Sequence, residues 1–382
     1  GLFVRTLINL QRVDPGFNTQ NLLVVGIEPA LIGYKEERLA HLYQQICERL
    51  ETIPGVKAVT FSRTTPLAVR AVARGVFLRS DFSKALDQDG RVRPSGDCYI
   101  HQVRENFLEV MEIPLLAGRS LRAQDDARAP KVAVVNQAYA KKYFPNENPV
   151  GKRFTFDSSK PDEIEIVGLV KDAKYTRQRD DIPPTVYLSY LQQLREVPGV
   201  DIELRTFAEP TALVAAVRQA VQEVESNLPL NNVRTQVEQA QQTLQMERLI
   251  AKLITLFGLL AQQLAAIGLF GVMAYSVSQR TREIGIRLAL GAQQFDVLKM
   301  VIKQGMTLTI IGIIFGLGSA YVLTKYLESW MQFSKMLYGI KPSDPMTYGV
   351  IVLLLMVVAL IACYLPARRA TKVDPLITLR SE

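Results

Sequence analysis

The sequence is poor in the side chains that most often build metal sites, disulfide frameworks and catalytic centres. It has two histidines, three cysteines and one tryptophan among 382 residues. His41 and His101 stand alone, and Cys47, Cys98 and Cys363 follow no metal-ligand spacing. The sequence therefore predicts neither a zinc site nor a disulfide framework. A single Cys47–Cys98 bridge stays possible if that part of the chain lies in an oxidising compartment.

Sequence patterns of enzymes are missing as well. There is no nucleophile elbow and no His-Glu-x-x-His motif, and Gly151-Lys152 is followed by Arg153 instead of the Ser or Thr of a phosphate loop. The acidic pair Asp125-Asp126 lies in a charged loop, which is typical of solvated surface rather than of acid–base chemistry. We expect no catalytic residue, no cofactor and no ATPase activity in this chain.

Long runs without charge are confined to the last third of the chain. Mean hydropathy is only +0.09 and 21% of the residues are charged, as in many soluble proteins. Three stretches, 253–277, 304–324 and 345–367, nevertheless contain no charged residue. A helix that crosses about 30 Å of hydrocarbon needs about 20 mostly apolar residues. The sequence therefore predicts three transmembrane helices.

Basic residues flank these stretches unequally, which predicts the orientation of the chain. The loop after the first stretch and the C-terminal tail are richer in Lys and Arg than the loop after the second stretch. By the positive-inside rule, the first loop and the tail are cytoplasmic and the N-terminal part lies outside. The same bias accounts for the net charge of +8 without nucleic acid, for which no binding motif is present.

Residues 1–20 have a pattern of their own. Leu2, Phe3 and Leu7 surround Arg5 as the apolar end of a membrane span surrounds an interface anchor. Because the chain starts at Gly1 and not at a methionine, we expect a first transmembrane helix upstream, which would make four. An ordinary amphipathic surface helix is the alternative.

Residues 21–245 contain a weak internal repeat of strand, helix and strand. The first unit has apolar runs near 22–28 and 56–61 around a helical pattern at 34–52, and the second has corresponding segments at 200–205, 210–226 and 232–236. The repeat predicts two βαβ units that form one subdomain from about 21–70 and 195–240.

Residues 71–194 differ from both repeated units. They are rich in Gly, Pro and charged residues, with short apolar runs at 132–135, 154–156 and 164–170 and a helical pattern at 137–144. We interpret them as a β-rich subdomain inserted into the βαβ part. The predicted fold class is thus an α+β extracytoplasmic domain followed by an α-helical membrane domain at 246–382.

Ser278 to Met300 is the most informative part of the first loop. On a helix, Ile284 and Leu288 share a face, while Glu283 and Arg287 form an i,i+4 pair in the favourable order. The pattern predicts a short amphipathic helix below the membrane. Such a helix can dock in a groove of a cytoplasmic partner, or it can simply anchor the loop in the interface.

Small and amide side chains occur within the predicted membrane helices. Buried amides such as those of Gln262 and Gln263 usually face another helix or a cavity. We expect tight helix packing, within the chain or against a second copy, with a substrate path as the alternative. The glycines that suggest this packing are Gly258, Gly268, Gly271, Gly312, Gly316 and Gly318.

These features together resemble the MacB/FtsX-like permeases of ABC transporters, in particular the C-terminal half of the duplicated orphan permeases of acidobacteria. The resemblance spans nearly the whole chain. It is carried by VDPGF at 13–17, IPLLAGR at 113–119, VVNQAYAKKYFPNENPVGKRF at 134–154, IVGLVKDAKY at 166–175 and MAYSVSQRTREIGIRLALGA at 273–292.

The resemblance implies a four-helix permease whose outer domain, inserted after the first helix, has a βαβ-built porter-like part and a β-rich sabre-like part. In this family, the loop after the second helix contacts the ATPase. Carried over by position, the ATPase-coupling residues of this chain are Arg280, Arg282, Glu283, Ile284, Gly285, Arg287 and Gly291.

The implied function is a multi-pass permease subunit of the bacterial inner membrane, in contact with lipid. It would couple ATP hydrolysis by a cytoplasmic ABC ATPase to movement of the periplasmic domain, for export or efflux. A second permease half would be its partner, in a homodimer or in a duplicated chain. The alternative is a membrane-anchored scaffold or signalling protein whose outer domain binds a periplasmic partner such as a cell-wall hydrolase.

Overall fold

The chain forms two compact units in a computed structural model, one of residues 13–245 and one of residues 1–12 together with 246–382. We call them the N-terminal unit and the helical unit. The structure describes residues 9, 13–35, 37–68, 72–83, 92–160, 163–176, 181–290, 293–331 and 345–370. Apart from Asn9, the expected interface segment before Val13 lies outside the described residues.

The N-terminal unit is built on one continuous sheet of eleven strands. Its α-helices are α1 (Glu37–Glu51), α2 (Phe107–Val110), α3 (Gln137–Tyr143), α4 (Val214–Val224) and α5 (Gln236–Gln242). Its strands are β1 (Leu22–Ile27), β2 (Val56–Ser62), β3 (Val72–Leu78), β4 (Gly96–Val103), β5 (Leu115–Gly118), β6 (Val132–Asn136), β7 (Arg153–Thr155), β8 (Ile164–Val170), β9 (Thr185–Ser189), β10 (Val200–Thr206) and β11 (Leu230–Thr235).

Four strands in the order β11-β1-β10-β2, all antiparallel to their neighbours, form the βαβ part. Alternate side chains of these strands pack with α1 and α4 into one core, which includes Val25, Phe61, Leu204 and Val217. β1 and β2 are parallel but separated by β10, so the two repeated units interlock as a split βαβ fold. The predicted βαβ part is confirmed.

The inserted part is a closed ring of strands. In the order β4-β3-β7-β8-β6-β9, each strand pairs with the next, and β9 pairs back to β4. Closure leaves these strands few free edges. Among the described residues, β2 and β4 join the βαβ part to the ring through the strand pair Ser62 with Val103, and backbone hydrogen bonds from Arg63 to Gln102 and from Arg104 to Phe61 flank it. The predicted β-rich insertion is therefore confirmed, with β3, β4, β5 and β9 in addition to the strands that the sequence had indicated.

Two of the motif segments that carry the resemblance contain glycines at close backbone contacts. A Cβ on Gly16 (φ +83°) would lie 2.3 Å from the carbonyl oxygen of Asp172, and one on Gly118 (φ +75°) would lie 2.2 Å from that of Val167. Positive φ and lack of space both exclude side chains there. Glycine at these two positions thus lets the segments pack closely within the N-terminal unit.

Arg205 is a buried cation, and no described carboxylate lies at hydrogen-bond distance from it. Its guanidinium donates to the carbonyl oxygens of Asn18, Gln20 and Val110 at 2.6–3.1 Å. Charge-assisted hydrogen bonds to carbonyl groups satisfy a buried guanidinium without a counter-ion. Arg205 thereby attaches both the segment before β1 and helix α2 to strand β10.

The cysteines of the N-terminal unit lie in different cores. Cys47 packs in the βαβ core and Cys98 in the core of the inserted ring, and both are free. Burial raises the pKa of each thiol to about 12. The possible Cys47–Cys98 bridge is therefore wrong, because packing holds the two side chains in separate clusters.

Glu203 and His101 are fully buried ionisable groups in the same unit. Ser62 Oγ donates to Glu203 Oε1 at 2.6 Å, while Oε2 has no partner among the described residues. Burial raises the pKa of the Glu203 carboxyl well above its usual value and lowers that of His101 to about 3. Both groups are therefore neutral in the folded state near neutral pH.

We expect Glu203→Gln to stabilise the N-terminal unit at pH 8 but not at pH 4. The unfolded carboxyl ionises above its ordinary pKa of 4.5, whereas the folded one keeps its proton, so the wild type loses stability as pH rises through that range. Glutamine has no proton to lose. A rise of about 4 °C or more in the thermal midpoint at pH 8 corresponds to roughly 1–2 kcal/mol in a unit of this size.

The measurement is the temperature at which half of the full-length chain in lipid nanodiscs becomes protease-sensitive in the N-terminal unit. Stability that is lost at low pH because His101 becomes protonated on unfolding is lost equally by both proteins, so it cancels in the comparison. The exposed Glu209→Gln serves as control. An equal shift at both pH values would show that Glu203 does not titrate as expected.

The helical unit consists of α6 (Gln245–Gln279), α7 (Thr281–Ala289), α8 (Gln294–Met331) and α9 (Pro345–Ala370). Three of these helices, α6, α8 and α9, are long and apolar enough to cross a membrane. Helix α8 has 38 residues and begins ten residues before the charge-free stretch at 304–324. The first part of α8, with Asp296, Lys299 and Lys303, is thus a polar extension of a membrane helix.

Close approach between membrane helices occurs at Gly305. A Cβ there would lie 2.3 Å from Cys363 Sγ of α9, so glycine lets α8 and α9 pack closely, as small residues do in membrane proteins. At each of the six glycines that suggested tight packing, an added Cβ would have no described atom from another helix within 4 Å. In the described part of the chain, Gln262 Nε2 also lacks a partner. Packing within the chain therefore uses a different glycine from those expected.

Candidate functional site

The candidate site is helix α7, which lies between the two membrane-length helices α6 and α8. It has nine residues, and only Arg280 separates it from α6. The Thr281 hydroxyl donates to the carbonyl oxygens of Val277 and Ser278, which satisfies backbone acceptors at the end of α6. A short helix with fixed ends is thus formed where the sequence predicted one.

One side of α7 is packed against the rest of the helical unit. Ile284 is 2% exposed and lies against Val297 of α8, with Val277 and Met300 beside them. Apolar contacts of this kind stabilise by about 1.5–3 kcal/mol for a fully buried isoleucine. Ile284, one of the predicted coupling residues, is thus buried in the free chain, and its side chain anchors α7.

The predicted charged pair is present on α7. Arg287 Nη2 lies 2.5 Å from Glu283 Oε1, and Arg287 Nη1 donates to Met300 Sδ at 2.9 Å. The two side chains are 48% and 51% exposed, so the pair contributes little to stability. It leaves a carboxylate and a guanidinium at fixed positions, available to a partner.

Three apolar side chains of the same region are exposed and were missed by the sequence analysis. Ile286 is 43% exposed, Leu290 83% and Phe295 65%. Ile286 and Leu290 are four residues apart and share one side of the chain. Both the 284/288 and the 286/290 pairs are apolar at helical spacing, so periodicity alone could not tell which of them is buried.

The remaining predicted residues are placed as follows. Arg280 is exposed between α6 and α7. Arg282 and Gly285 lie within α7, but their side-chain surroundings are not described, and Gly291 lies outside the described residues. Lys299 and Lys303 of α8 are exposed as well. The exposed side chains of α7 and of the start of α8 thus include both positive charges and apolar groups. Such a surface suits binding to another protein rather than chemistry.

Two family models match the chain. Residues 9–224 match the MacB-like periplasmic core domain, which covers more than half of the sequence. Residues 255–375 match the FtsX-like permease C-terminal domain. The second match includes α7 and all the predicted coupling residues.

Curated relatives are similar to most of this chain at low identity. The macrolide export ATP-binding/permease protein MacB of Rhodospirillum rubrum is 25% identical over 368 residues, which cover 92% of this chain and 54% of that protein. The uncharacterized ABC transporter permease YknZ of Bacillus subtilis is 24% identical over 298 residues, or 75% of this chain and 70% of that protein. The chain spans about half the length of the MacB relatives that it matches.

Solved structures of extracytoplasmic domains are also similar to part of the chain. The periplasmic region of MacB from Actinobacillus actinomycetemcomitans matches with a TM-score of 0.40 and 15% identity, covering 62% of this chain and 97% of that one. The extracellular domain of YknZ from Gram-positive bacteria matches with a TM-score of 0.36 and 12% identity, covering 55% and 100%.

Proposed function

Because this chain belongs to the family of ABC transporter permeases with a MacB-like periplasmic core domain and an FtsX-like C-terminal domain, we propose that it is a mechanical coupling subunit. A separate cytoplasmic ABC ATPase hydrolyses ATP, and α7 transmits the resulting movement through the membrane helices to the N-terminal unit outside. The chain itself is not the ATPase. We propose export or efflux across the bacterial inner membrane as its role, together with a second permease half.

The observation that supports this proposal is the two-sided character of α7. Ile284 fixes the helix to α6 and α8, while Glu283, Arg287 and Ile286 remain exposed. A rigid helix that presents charge and apolar surface can dock in a groove of a partner and transmit force to both membrane helices.

The test is charge reversal at Arg287. We expect Arg287→Glu to insert normally but to reduce co-purification with the partner ATPase, and the stimulated ATPase rate, by about tenfold or more, because removing one charged contact at a protein interface costs about 1–3 kcal/mol. Arg218→Glu on the exposed side of α4 is the control.

The measurement is the ATPase rate of the reconstituted complex in nanodiscs, with the amount of bound ATPase determined in parallel. A wild-type rate in Arg287→Glu would contradict coupling through α7. Retained biological function after replacement of residues 281–289 by a neutral linker would favour the scaffold alternative instead.

A further inference from the structure

The N-terminal unit contains a cleft that none of the coupling residues reaches. It has a volume of about 910 Å³, within the range of about 300–1,000 Å³ typical of small-ligand sites. The ends of β1, β10 and β11 form its floor, while α5 and residues 63–68 after β2 form its walls. Cleft residues Gln242 and Thr243 lie just before α6 begins at Gln245.

Two guanidinium groups line this cleft. Among the described residues, no side chain pairs with Arg63. Arg234 donates through Nη1 to Gln242 Oε1 at 3.1 Å, but its buried Nε has no hydrogen-bond partner in the described part of the chain. A buried donor without an acceptor costs free energy unless a bound molecule supplies one. A carboxylate is the acceptor that a guanidinium binds best.

A buried acceptor without a partner lines the same cleft. Gln239 is 5% exposed, and its Nε2 donates to the carbonyl oxygen of Leu67 at 3.0 Å, while its Oε1 has no partner. This oxygen requires an N–H donor. Asn231 and Asn232 add further amide groups to the lining, which suits a ligand that itself contains amides.

The other charged and apolar groups of the cleft define its polarity. Asp201 Oδ2 accepts the backbone N–H of Thr65 at 2.9 Å, and Glu28 is exposed at the end of β1. Within the described residues, no hydrogen bond joins either carboxylate to Arg63 or Arg234. Leu31, which is 73% exposed, and Val72, which is 37% exposed, give the cleft an apolar margin.

We propose that this cleft binds a small peptide-like ligand that carries a free carboxylate. Arg63 and Arg234 bind the carboxylate, Gln239 Oε1 accepts an N–H of the ligand, and Leu31 and Val72 contact an apolar side chain. Helix α5 forms one wall of the cleft and directly precedes α6. A bound ligand therefore contacts the segment that leads into the first membrane-length helix. The proposal requires neither an ATPase nor coupling through α7.

The experiment uses the full-length chain in lipid nanodiscs without any ATPase. N-acetyl-Ala-Ala-Leu with a free carboxylate and its C-terminal amide are titrated as a matched pair, with saturation-transfer NMR to detect weak binding. We expect the acid to bind with a Kd below about 1 mM. The amide should bind at least about tenfold more weakly, because it lacks the charge that the arginines bind.

Two variants locate the binding. Arg63→Gln, at a partly exposed side chain without a partner, and Arg234→Gln should each remove most of the preference for the acid. Arg218→Gln outside the cleft should keep it. Protease resistance of each variant establishes that the N-terminal unit is folded. If Arg234→Gln is unfolded, the test rests on Arg63→Gln alone. The proposal is overturned if the acid does not bind, if acid and amide bind equally, or if Arg218→Gln weakens binding as much as Arg63→Gln.

Discussion

Replacing Ile286 with aspartate is expected to abolish association with the partner ATPase while leaving the chain folded and inserted. Ile286 is 43% exposed, so a carboxylate there stays hydrated in the free chain. In the proposed complex, the same carboxylate would be buried among apolar groups of the partner. Loss of an apolar anchor costs about 2 kcal/mol or more at an interface, and burying an unpaired charge adds to that.

Ile284 provides a matched control on the same helix. It is the same residue type two positions earlier, but only 2% exposed. Ile284→Asp places the charge between α7 and α8, against Val297 and Met300, and should detach the loop from the helical unit before any partner binds. The two variants therefore separate a docking contact from an internal anchor.

The measurements are the stimulated ATPase rate and the protease sensitivity of the loop in nanodiscs. Ile286→Asp should lose about tenfold or more in rate with a wild-type digestion pattern, while Ile284→Asp should lose both. Ile286→Val should behave as wild type. Full stimulation in Ile286→Asp would place the docking surface elsewhere on the cytoplasmic side.

Gly168→Ala is the second change with a large expected effect, because a single methyl group has no space there. A Cβ at this position would lie 2.2 Å from the carbonyl oxygen of Arg119 and 3.2 Å from its carbonyl carbon. Arg119 cannot yield easily, because its guanidinium makes two hydrogen bonds to the carboxylate of Asp125 at 2.8 and 2.9 Å. The pairing of β5 with β8 would have to open.

We expect Gly168→Ala to destabilise the N-terminal unit by about 3 kcal/mol or more, at the upper end of the cost of overpacking. Gly75→Ala in β3 is the control. There a Cβ would lie 3.1 Å from the Pro94 side chain, and replacing a strand glycine also reduces the entropy of the unfolded chain, so the net change should be within about 1 kcal/mol.

The thermal midpoint of protease resistance, measured on the full-length chain in nanodiscs, distinguishes the two glycine variants. About 3 kcal/mol corresponds to a fall of roughly 6–12 °C in a unit of this size. If Gly168→Ala shifts the midpoint no more than Gly75→Ala does, the backbone contact with Arg119 is not as close as the structure shows.

Local patterns identified strands of the N-terminal unit that form apolar runs, such as β1 and β6, or that alternate in burial. β8 was predicted with its observed bounds, and its side chains alternate between buried and partly buried from Ile164 to Val170. β3, β4, β5 and β9 were not predicted. β9 is as fully buried as β6, but Thr185 and Ser189 interrupt its apolar run, and β5 is mostly exposed.

The candidate site shows the same division. The sequence alone located α7, its charged pair Glu283 and Arg287 and its position between two apolar helices, because charge and helical spacing are properties of neighbouring residues. It could not decide which apolar side is buried, because the burial of Ile284 depends on Val297 in the following helix. The exposed surface at Ile286 and Leu290 follows from that contact.

Composition and periodicity by themselves thus determined the three membrane-length helices, the repeated βαβ units with a β-rich insertion, and the short helix after the first span. Only the tertiary structure decided that the repeated units interlock in one sheet, that the insertion closes into a ring, and that Arg63, Arg234 and Gln239 line one cleft. The physical reason is separation along the chain. Strand pairing, ring closure and cleft formation bring together residues as far apart in the chain as Leu23 and Thr235, and no local pattern records such contacts.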